Sequence, residues 1–176
     1  MQPRRFNQPV SAPSFRVKRQ AAPGRFNGNQ VPLLVSAVFD PSANTGERTV
    51  AAHGLGVYLP PKAIIKRAWV DVITTFTSAG ADAGTIALHV QAADDIVAAI
   101  AISDASNIWD AGIHGSKLGF PNLGADAAHD SALEVAALFA GVMLKTTAER
   151  ELTATVATQA LTAGKLVLFV EYVMSE

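Results

Sequence analysis

Residues 63–76 read AIIKRAWVDVITTF, and through most of this run apolar and polar side chains alternate. Alternation with a period of two, in a segment rich in β-branched and aromatic residues, is typical of a strand that packs one face on a core. We therefore predict a strand, with Ala68, Val70 and Val72 facing the core and Arg67 facing solvent.

Segments of the same kind lie on both sides of this strand. The further strands that we predict are residues 31–39, 47–53, 85–91, 150–158 and 165–174. Turn formers separate them at residues 40–46 and 159–164. Residues 92–103 predict one or two helical turns followed by a strand, with a bend into a strand as the alternative. About eight strands, loops of varied length and no heptad or fixed-period repeat indicate an all-β fold. We expect a β-sandwich with jelly-roll connections.

The stretch from residue 104 to residue 130 lacks a regular pattern and contains many turn formers. Irregular segments of this length in compact domains are often functional. Trp109 lies within it, and two interpretations remain open. The ring is either an anchor that pins the loop to the sandwich or an exposed loop contact residue of the kind that dominates interfaces.

Residues 1–30 differ from the rest of the chain in charge and composition. They carry six basic residues and no acid, whereas residues 31–176 carry 8 basic and 15 acidic residues. Prolines recur in the segment, and it shows no sustained apolar periodicity. Because proline fixes φ and removes a backbone donor, we predict an extended basic arm, residues 1–30, followed by one sandwich domain, residues 31–176.

The arm also contains three phenylalanines, which a segment that only stays solvated does not need. We interpret the arm as a segment that orders on a partner, although a free terminus is the simpler alternative. The contact residues that we predict are Arg4, Arg5, Phe6, Phe15, Arg16, Lys18, Arg19, Arg25 and Phe26. Six charges spread among prolines are sparse for packaging nucleic acid, so we do not expect nucleic acid as the partner.

The sequence offers little for catalysis. It has no cysteine and lacks the P-loop, G-x-S-x-G, G-x-G-x-x-G and H-E-x-x-H patterns, so we predict neither an enzyme nor a bound cofactor;. His114 and His129, near Asp126 and Asp130, could form a metal site, but solvated loop residues are the simpler interpretation. Acids that could resemble calcium ligands are Asp94, Asp95, Asp104 and Asp110. Turn formation and capping explain them with fewer assumptions.

Composition sets further bounds. Hydrophobic residues make up 49% of the 176 residues and charged residues only 16%, which excludes full disorder and indicates that some surface meets other protein. The longest apolar run, residues 135–144, is about half the ~20 residues that a membrane-spanning helix needs. We expect no signal peptide and no membrane partner. The isolated Gly54-Leu55-Gly56 before two prolines indicates a tight bend, not a phosphate loop.

Several stretches resemble a known family in the pattern of their strands. These stretches are residues 56–65 (GVYLPPKAII), 70–78 (VDVITTFTS), 83–88 (AGTIAL) and 161–172 (LTAGKLVLFVEY). They are similar to the β-rich accessory head proteins of tailed bacteriophages. The resemblance extends over residues 54–173 and leaves the arm outside it.

This resemblance implies a capsid decoration, or cement, protein. Such a virion structural protein is made in the host cytoplasm, binds the outside of the assembled head, often as a homotrimer, and stabilises the head against packaged DNA. Its partners would be the major capsid protein and further copies of itself. The residues leave open a jelly-roll coat protein, a tail or fibre protein, or a carbohydrate-binding sandwich that would use Trp69, Trp109 and Tyr58.

Overall fold

The computed structural model describes residues 31–93, 95–115 and 144–175. The strands described are β1 (Leu33–Phe39), β2 (Ala52–Leu59), β3 (Ala63–Ser78), β4 (Thr85–His89), β5 (Val97–Ala101), β6 (Gly112–Gly115), β7 (Leu144–Lys145), β8 (Arg150–Ala157) and β9 (Leu161–Met174). Two short helical turns, Thr45–Arg48 and Ala79–Asp82, accompany them. Within these ranges no helix is long and apolar enough to cross a membrane.

Neighbouring strands run antiparallel and form two sheets. The first sheet has the order β1-β9-β3-β6, with β7 beside the start of β3, and the second has the order β2-β8-β4-β5. The pairs are nested in sequence, because β1 pairs with β9, β2 with β8, β3 with β6 and β4 with β5. A long antiparallel hairpin that folds over on itself produces this nesting, which is the jelly-roll topology. The predicted all-β jelly-roll sandwich is confirmed.

The core lies between the two sheets because each strand alternates inward and outward side chains. In β3, Ala68, Val70 and Val72 are buried, as predicted, and Arg67 is exposed. Ile65 is also buried, although it has the same parity as Arg67, because the pairing with β9 shifts between these two residues. A bulge of this kind reverses which side chains face inward, and the alternation of a single strand does not reveal it.

Three aromatic rings pack together in the core. Phe76 stacks on Phe39 with centroids 5.9 Å apart and meets Trp109 edge-on, also at 5.9 Å. None of the three is more than 1% exposed. Rings of this size contribute much of the apolar area that such a sandwich buries.

The strand predicted at residues 47–53 starts later than expected, at Ala52. The preceding residues form a 3₁₀ turn instead. Asn44 caps this turn, since its side-chain oxygen accepts a hydrogen bond from the Gly46 N–H at 3.1 Å, and its amide donates to Glu47 at 2.9 Å. Local side-chain bonds of this kind compete with strand pairing, which explains the late start.

The loop predicted at residues 159–164 is shorter than expected, since β9 already begins at Leu161. Gly164 lies inside this strand with a φ of 137°, which favours glycine;. A side chain there would collide with the Phe76 ring, and the Gly164 N–H donates to Ser42 Oγ at 2.9 Å. The glycine that suggests a loop therefore marks a close approach within a strand.

The Gly54-Leu55-Gly56 motif forms a bulge in β2. The pairing with β8 shifts between Gly54 and Tyr58. Gly56 has a φ of 69°, and its N–H donates to Glu151 Oε1 at 2.9 Å. The motif is a bend in a strand, in agreement with the prediction.

Candidate interaction surface

The outer side of the first sheet carries large apolar side chains. We call this surface the apolar face, and its residues are Leu34, Val38, Trp69, Ile113, Val167 and Phe169. Leu34, Val38 and Ile113 are 58%, 50% and 74% exposed. Exposed apolar side chains that stand together, and not singly, are typical of an interaction site.

Strand register aligns these side chains in rows across the sheet. In one row, Val38 on β1 pairs with Val167 on β9. Val167 pairs in turn with Asp71 on β3, and Asp71 pairs with Ile113 on β6. Since paired residues on one face lie about 5 Å apart, the row is a continuous apolar strip interrupted by one carboxylate.

The neighbouring row holds the two aromatic rings of the apolar face. Phe169 on β9 pairs with Trp69 on β3, and their rings stack with centroids 5.2 Å apart and planes 10° apart. The Arg67 guanidinium lies 5.4 Å from the Trp69 ring centroid, which is a cation–π distance;. The centre of the apolar face is therefore aromatic, and both rings are half-buried.

Charged side chains at the margin of the apolar face pair with one another. Arg67 Nη2 lies 2.6 Å from Glu171 Oε2, and Lys165 Nζ lies 2.8 Å from Asp40 Oδ2. The hydrogen bond from Lys165, together with one from the Ala43 backbone N–H, lowers the pKa of Asp40. Because each of these charged side chains is paired within the chain, none of them requires an oppositely charged group on a partner protein.

The outer side of the second sheet is small and polar instead. Its outward residues include Gly54, Tyr58, Thr85, His89, Glu151, Thr153 and Thr155. His89 Nε2 lies 3.1 Å from Thr155 Oγ1. Tyr58 is the largest of these side chains, and the negative charge of Glu151 raises the pKa of its phenol. Polar contacts within the chain thus satisfy much of this side.

The residues considered for a metal site are only partly described. Those that lie outside the described residues are Asp94, Asp126, His129 and Asp130. His114 lies on β6, is 3% exposed, and has its Nε2 atom 2.9 Å from the Asp110 carbonyl oxygen. The expectation of a solvated loop residue is wrong for His114, because its place opposite Val70 turns the ring toward the core.

The acids compared with calcium ligands serve turns where they are described. The Asp95 carboxylate accepts hydrogen bonds from the three successive backbone N–H groups of residues 90–92. Asp104 accepts one from the Ser106 N–H at 2.9 Å. In the described ranges, no group of three or more His, Asp or Glu side chains could hold a metal ion.

Trp109 lies shortly before β6 with its ring in the core. Its Nε1–H donates to the Ile100 carbonyl oxygen at 3.1 Å, and the side chain is 1% exposed. These are the contacts of a structural anchor, one of the two interpretations that the sequence left open.

The nine arm residues predicted to bind a partner lie outside the described residues.

Sequence reasoning misses the apolar face, although one signal points to it. Outward positions of a strand with one solvated face are usually polar, yet Val167 and Phe169 occupy such positions in β9. Trp69 does the same in β3. The signal becomes a surface only when the register shows that Phe169 and Trp69 are paired.

Comparisons with known proteins find shared folds. No protein-family model matches the chain, and no curated protein matches it. A chain of the cyanophage Pam1 capsid asymmetric unit aligns with a TM-score of 0.56 at 14% identity, over 96% of this chain and 100% of that chain. A chain of the acidic stable capsid structure of Helicobacter pylori bacteriophage KHP30 aligns with a TM-score of 0.51 at 13% identity, over 83% and 90%.

A chain of the capsid of Ralstonia phage GP4 aligns with a TM-score of 0.46 at 17% identity, over 82% of this chain and 86% of that chain. At identities this low, the likeness to the Pam1 and KHP30 chains shows a common fold. The alignment covers the Pam1 chain completely, so the likeness extends over that entire chain and not over one domain of it. The family resemblance noted in the sequence thus agrees with this result, since the two chains that share the fold come from phage capsids.

Proposed function

We propose that this chain is a virion structural protein of a bacteriophage and that it binds the outside of the assembled head as a decoration, or cement, protein. In this role it is not an enzyme. A homotrimer of the domain contacts the major capsid protein on the capsid surface and stabilises the head against packaged DNA. The observation that carries the proposal is the fold shared with a chain of a phage capsid, over 96% of this chain and all of that one.

The apolar face supports a role in assembly. Three of its side chains are at least half exposed, and a large contiguous apolar surface favours contact with protein;. A protein that binds only the assembled shell stabilises the shell by mass action. A trimer that engages three capsid subunits also gains avidity without any single strong contact.

The arm supplies a second contact in this proposal. Its arginines and phenylalanines would hold an acidic protein surface, and these contacts would have to offset the conformational entropy that the segment loses when it orders. The arm extends from the domain at β1, so the domain and the arm can engage different subunits of one lattice.

The alternative of a carbohydrate-binding sandwich has less support from the geometry. Sugar sites need exposed aromatic rings, and Trp109 is buried in the core. Trp69 is half-buried against Phe169, and among the described residues Tyr58 is the one exposed aromatic ring, at 54%. One such ring on the polar side of the described domain provides little of the stacking platform that a sugar requires.

The test uses heads of the phage that encodes the chain, assembled without it. We expect saturable co-sedimentation of the purified chain with these heads, and a higher temperature at which the heads release their DNA. Binding that is equal for free major capsid protein and for assembled heads would contradict a decoration role. Failure to bind the heads would contradict it as well.

The arm's role is tested with matched charge variants. The double variant Arg4→Gln/Arg5→Gln should weaken head binding by about tenfold, since two charges that face an acidic surface are lost. Lys66→Gln/Lys145→Gln removes the same charge from exposed positions of the domain and serves as the control. A coat protein with an arm on nucleic acid would instead show DNA binding that falls steeply with salt.

Light scattering on residues 31–176 tests the oligomeric state. The hydrophobic core among the described residues begins at Val35, so removing the arm leaves that core intact. We expect a trimer, whose formation does not need the arm. A monomer would contradict the trimer and shift the assignment toward a subunit that associates only within a lattice.

A further inference from the structure

We propose that the first sheets of neighbouring copies of this chain join edge to edge, with β1 of one copy paired to β6 of the next. In this arrangement β6 of the second copy adds an antiparallel strand beside β1. The inference rests on the proposed function, because it names the contact that holds the proposed homotrimer together.

The two outer strands of the first sheet are regular and uncharged. These strands are β1 and β6, and among the described residues their pairing with β9 and β3 shows no register shift. β1 reads LLVSAVF and β6 reads GIHG, so neither contains Lys, Arg, Asp, Glu or Pro. Charges, prolines and bulges are the features that usually keep an edge strand from pairing with another chain. Both edges lack them, and the four residues of β6 set the length of the contact.

The outer strands of the second sheet differ in this respect. These strands are β2 and β5. The pairing of β2 with β8 shifts between Gly54 and Tyr58, and the pairing of β4 with β5 shifts between Ile86 and Leu88. A bulge disrupts the ladder and twists the edge away from a further strand. In the described domain, the edges suited to strand addition therefore belong to the first sheet.

Exposed apolar side chains flank the proposed contact on both strands. Leu34 and Val38 on β1 and Ile113 on β6 lie on the outer side of the first sheet, and each is at least half exposed. Paired residues of neighbouring strands lie about 5 Å apart on one side of a sheet. Pairing β1 with β6 of another copy thus brings Ile113 beside an outward side chain of β1, and the apolar face continues from one copy to the next.

The direction of the strands also fits this contact. β1 is antiparallel to β9, β9 to β3 and β3 to β6, so β1 and β6 run in opposite directions. A copy that continues the sheet with the same side outward therefore presents an antiparallel strand to β1. Because the contact joins two different edges, it is heterologous and closes into a ring of three when copies are related by a third of a turn. Two β1 strands would instead pair about a two-fold axis, which a cyclic trimer lacks.

Engineered disulfides in the full chain test the contact, since the chain contains no cysteine. Three double variants each combine Ile113→Cys with one outward position of β1. The substitutions at these positions are Leu34→Cys, Ser36→Cys and Val38→Cys, one for each register. Within one chain, β1 and β6 are three strand spacings, or about 14 Å, apart;. A disulfide allows only about 4.4–6.8 Å between Cα atoms, so it can form only between copies.

Under mild oxidation, at least one double variant should shift from one chain to three chains on a non-reducing gel and return to one chain on reduction. The control combines Ile113→Cys with Thr155→Cys, which lies on the outer side of β8, a central strand of the second sheet. This control should remain at one chain.

Three results would overturn the proposal. The first is the absence of a disulfide between copies in all three double variants. The second is equal cross-linking in the control with Thr155→Cys, which would assign the disulfides to random collisions. The third is an equally abundant two-chain band from Ser36→Cys alone, which would show that β1 pairs with itself. Light scattering on the same samples separates the two proposals, because a trimer without disulfides contradicts the edge contact alone, whereas a monomer contradicts the homotrimer. Head binding is measured independently of both.

Discussion

The outer sides of the two sheets differ although the sheets share one core. The first sheet presents the apolar face, with the Trp69–Phe169 stack at its centre. The second presents threonines, glycines and His89, with contacts such as that between His89 and Thr155. Both sheets are built from antiparallel strands with the same inward alternation, so neither the fold nor the core explains the difference.

The contrast shows which side of the sandwich is made for contact. Inward positions are constrained by the core, whereas outward positions can be polar at no cost to folding. Exposed apolar side chains such as Val38 and Ile113 therefore need another explanation, and a covering segment or partner provides one.

The largest effect is expected at Gly164 in β9, the strand that carries both core residues and part of the apolar face. Gly164→Ala should lower the free energy of unfolding by about 2–4 kcal/mol, because the added Cβ collides with Phe76 and φ is 137°;. Urea denaturation measures this loss. Gly56→Ala is the control, since its φ is 69° but no atom lies within 4 Å of the added Cβ. The control should lose only about 1 kcal/mol. Equal losses would show that backbone strain, and not the contact with Phe76, decides.

A smaller effect is expected from substitutions on the two outer sides. Phe169→Ala should cost about 1–2 kcal/mol of unfolding free energy, because it removes a cross-strand stack with Trp69;. Thr153→Ala, at an outward position of β8, should cost about 0.5 kcal/mol or less. Thermal and urea unfolding of both variants measure the difference. If Phe169→Ala and Thr153→Ala lost the same unfolding free energy, the aromatic row would not stabilise the domain. The two outer sides would then differ in composition but not in their contribution to stability.

Much of the fold could be predicted because inward alternation is a local property. The strand predicted at residues 85–91 has Ile86 and Leu88 on one face, and both are buried, as are Leu152 and Val156 in the strand predicted at residues 150–158. The two-residue alternation of apolar and polar side chains is visible within each segment alone, and turn formers mark where the segment ends. The sandwich class follows from the number of such segments.

What could not be predicted depends on pairs of distant residues. Gly164 suggests a loop until Phe76 is known to lie against it. The bulge that buries Ile65 exists only in the pairing of β3 with β9. The apolar face likewise needs a register that joins Trp69 to Phe169, which lie one hundred residues apart in the sequence. Trp109 shows the same limit, since its core position depends on Phe76 and Ile100.

The smallest effect concerns the ion pair of Asp40 and Lys165 at the margin of the apolar face. The hydrogen bond from Lys165 lowers the pKa of Asp40 in the folded chain, so folding favours the carboxylate. This contribution is present above the unfolded pKa and is lost as pH falls through the lower, folded pKa. For a surface pair it should amount to less than about 1 kcal/mol.

Comparing urea unfolding at about pH 6 and about pH 3 measures this contribution. Asp40→Asn should remove it and flatten the acid dependence slightly. Lys165→Met should remove part of it, since the Ala43 N–H still donates to the carboxylate at 3.0 Å. An unchanged acid dependence in Asp40→Asn would mean that the pair of Asp40 and Lys165 adds nothing measurable to stability. Of the two ion pairs at the margin of the apolar face, only that of Arg67 and Glu171 could then contribute.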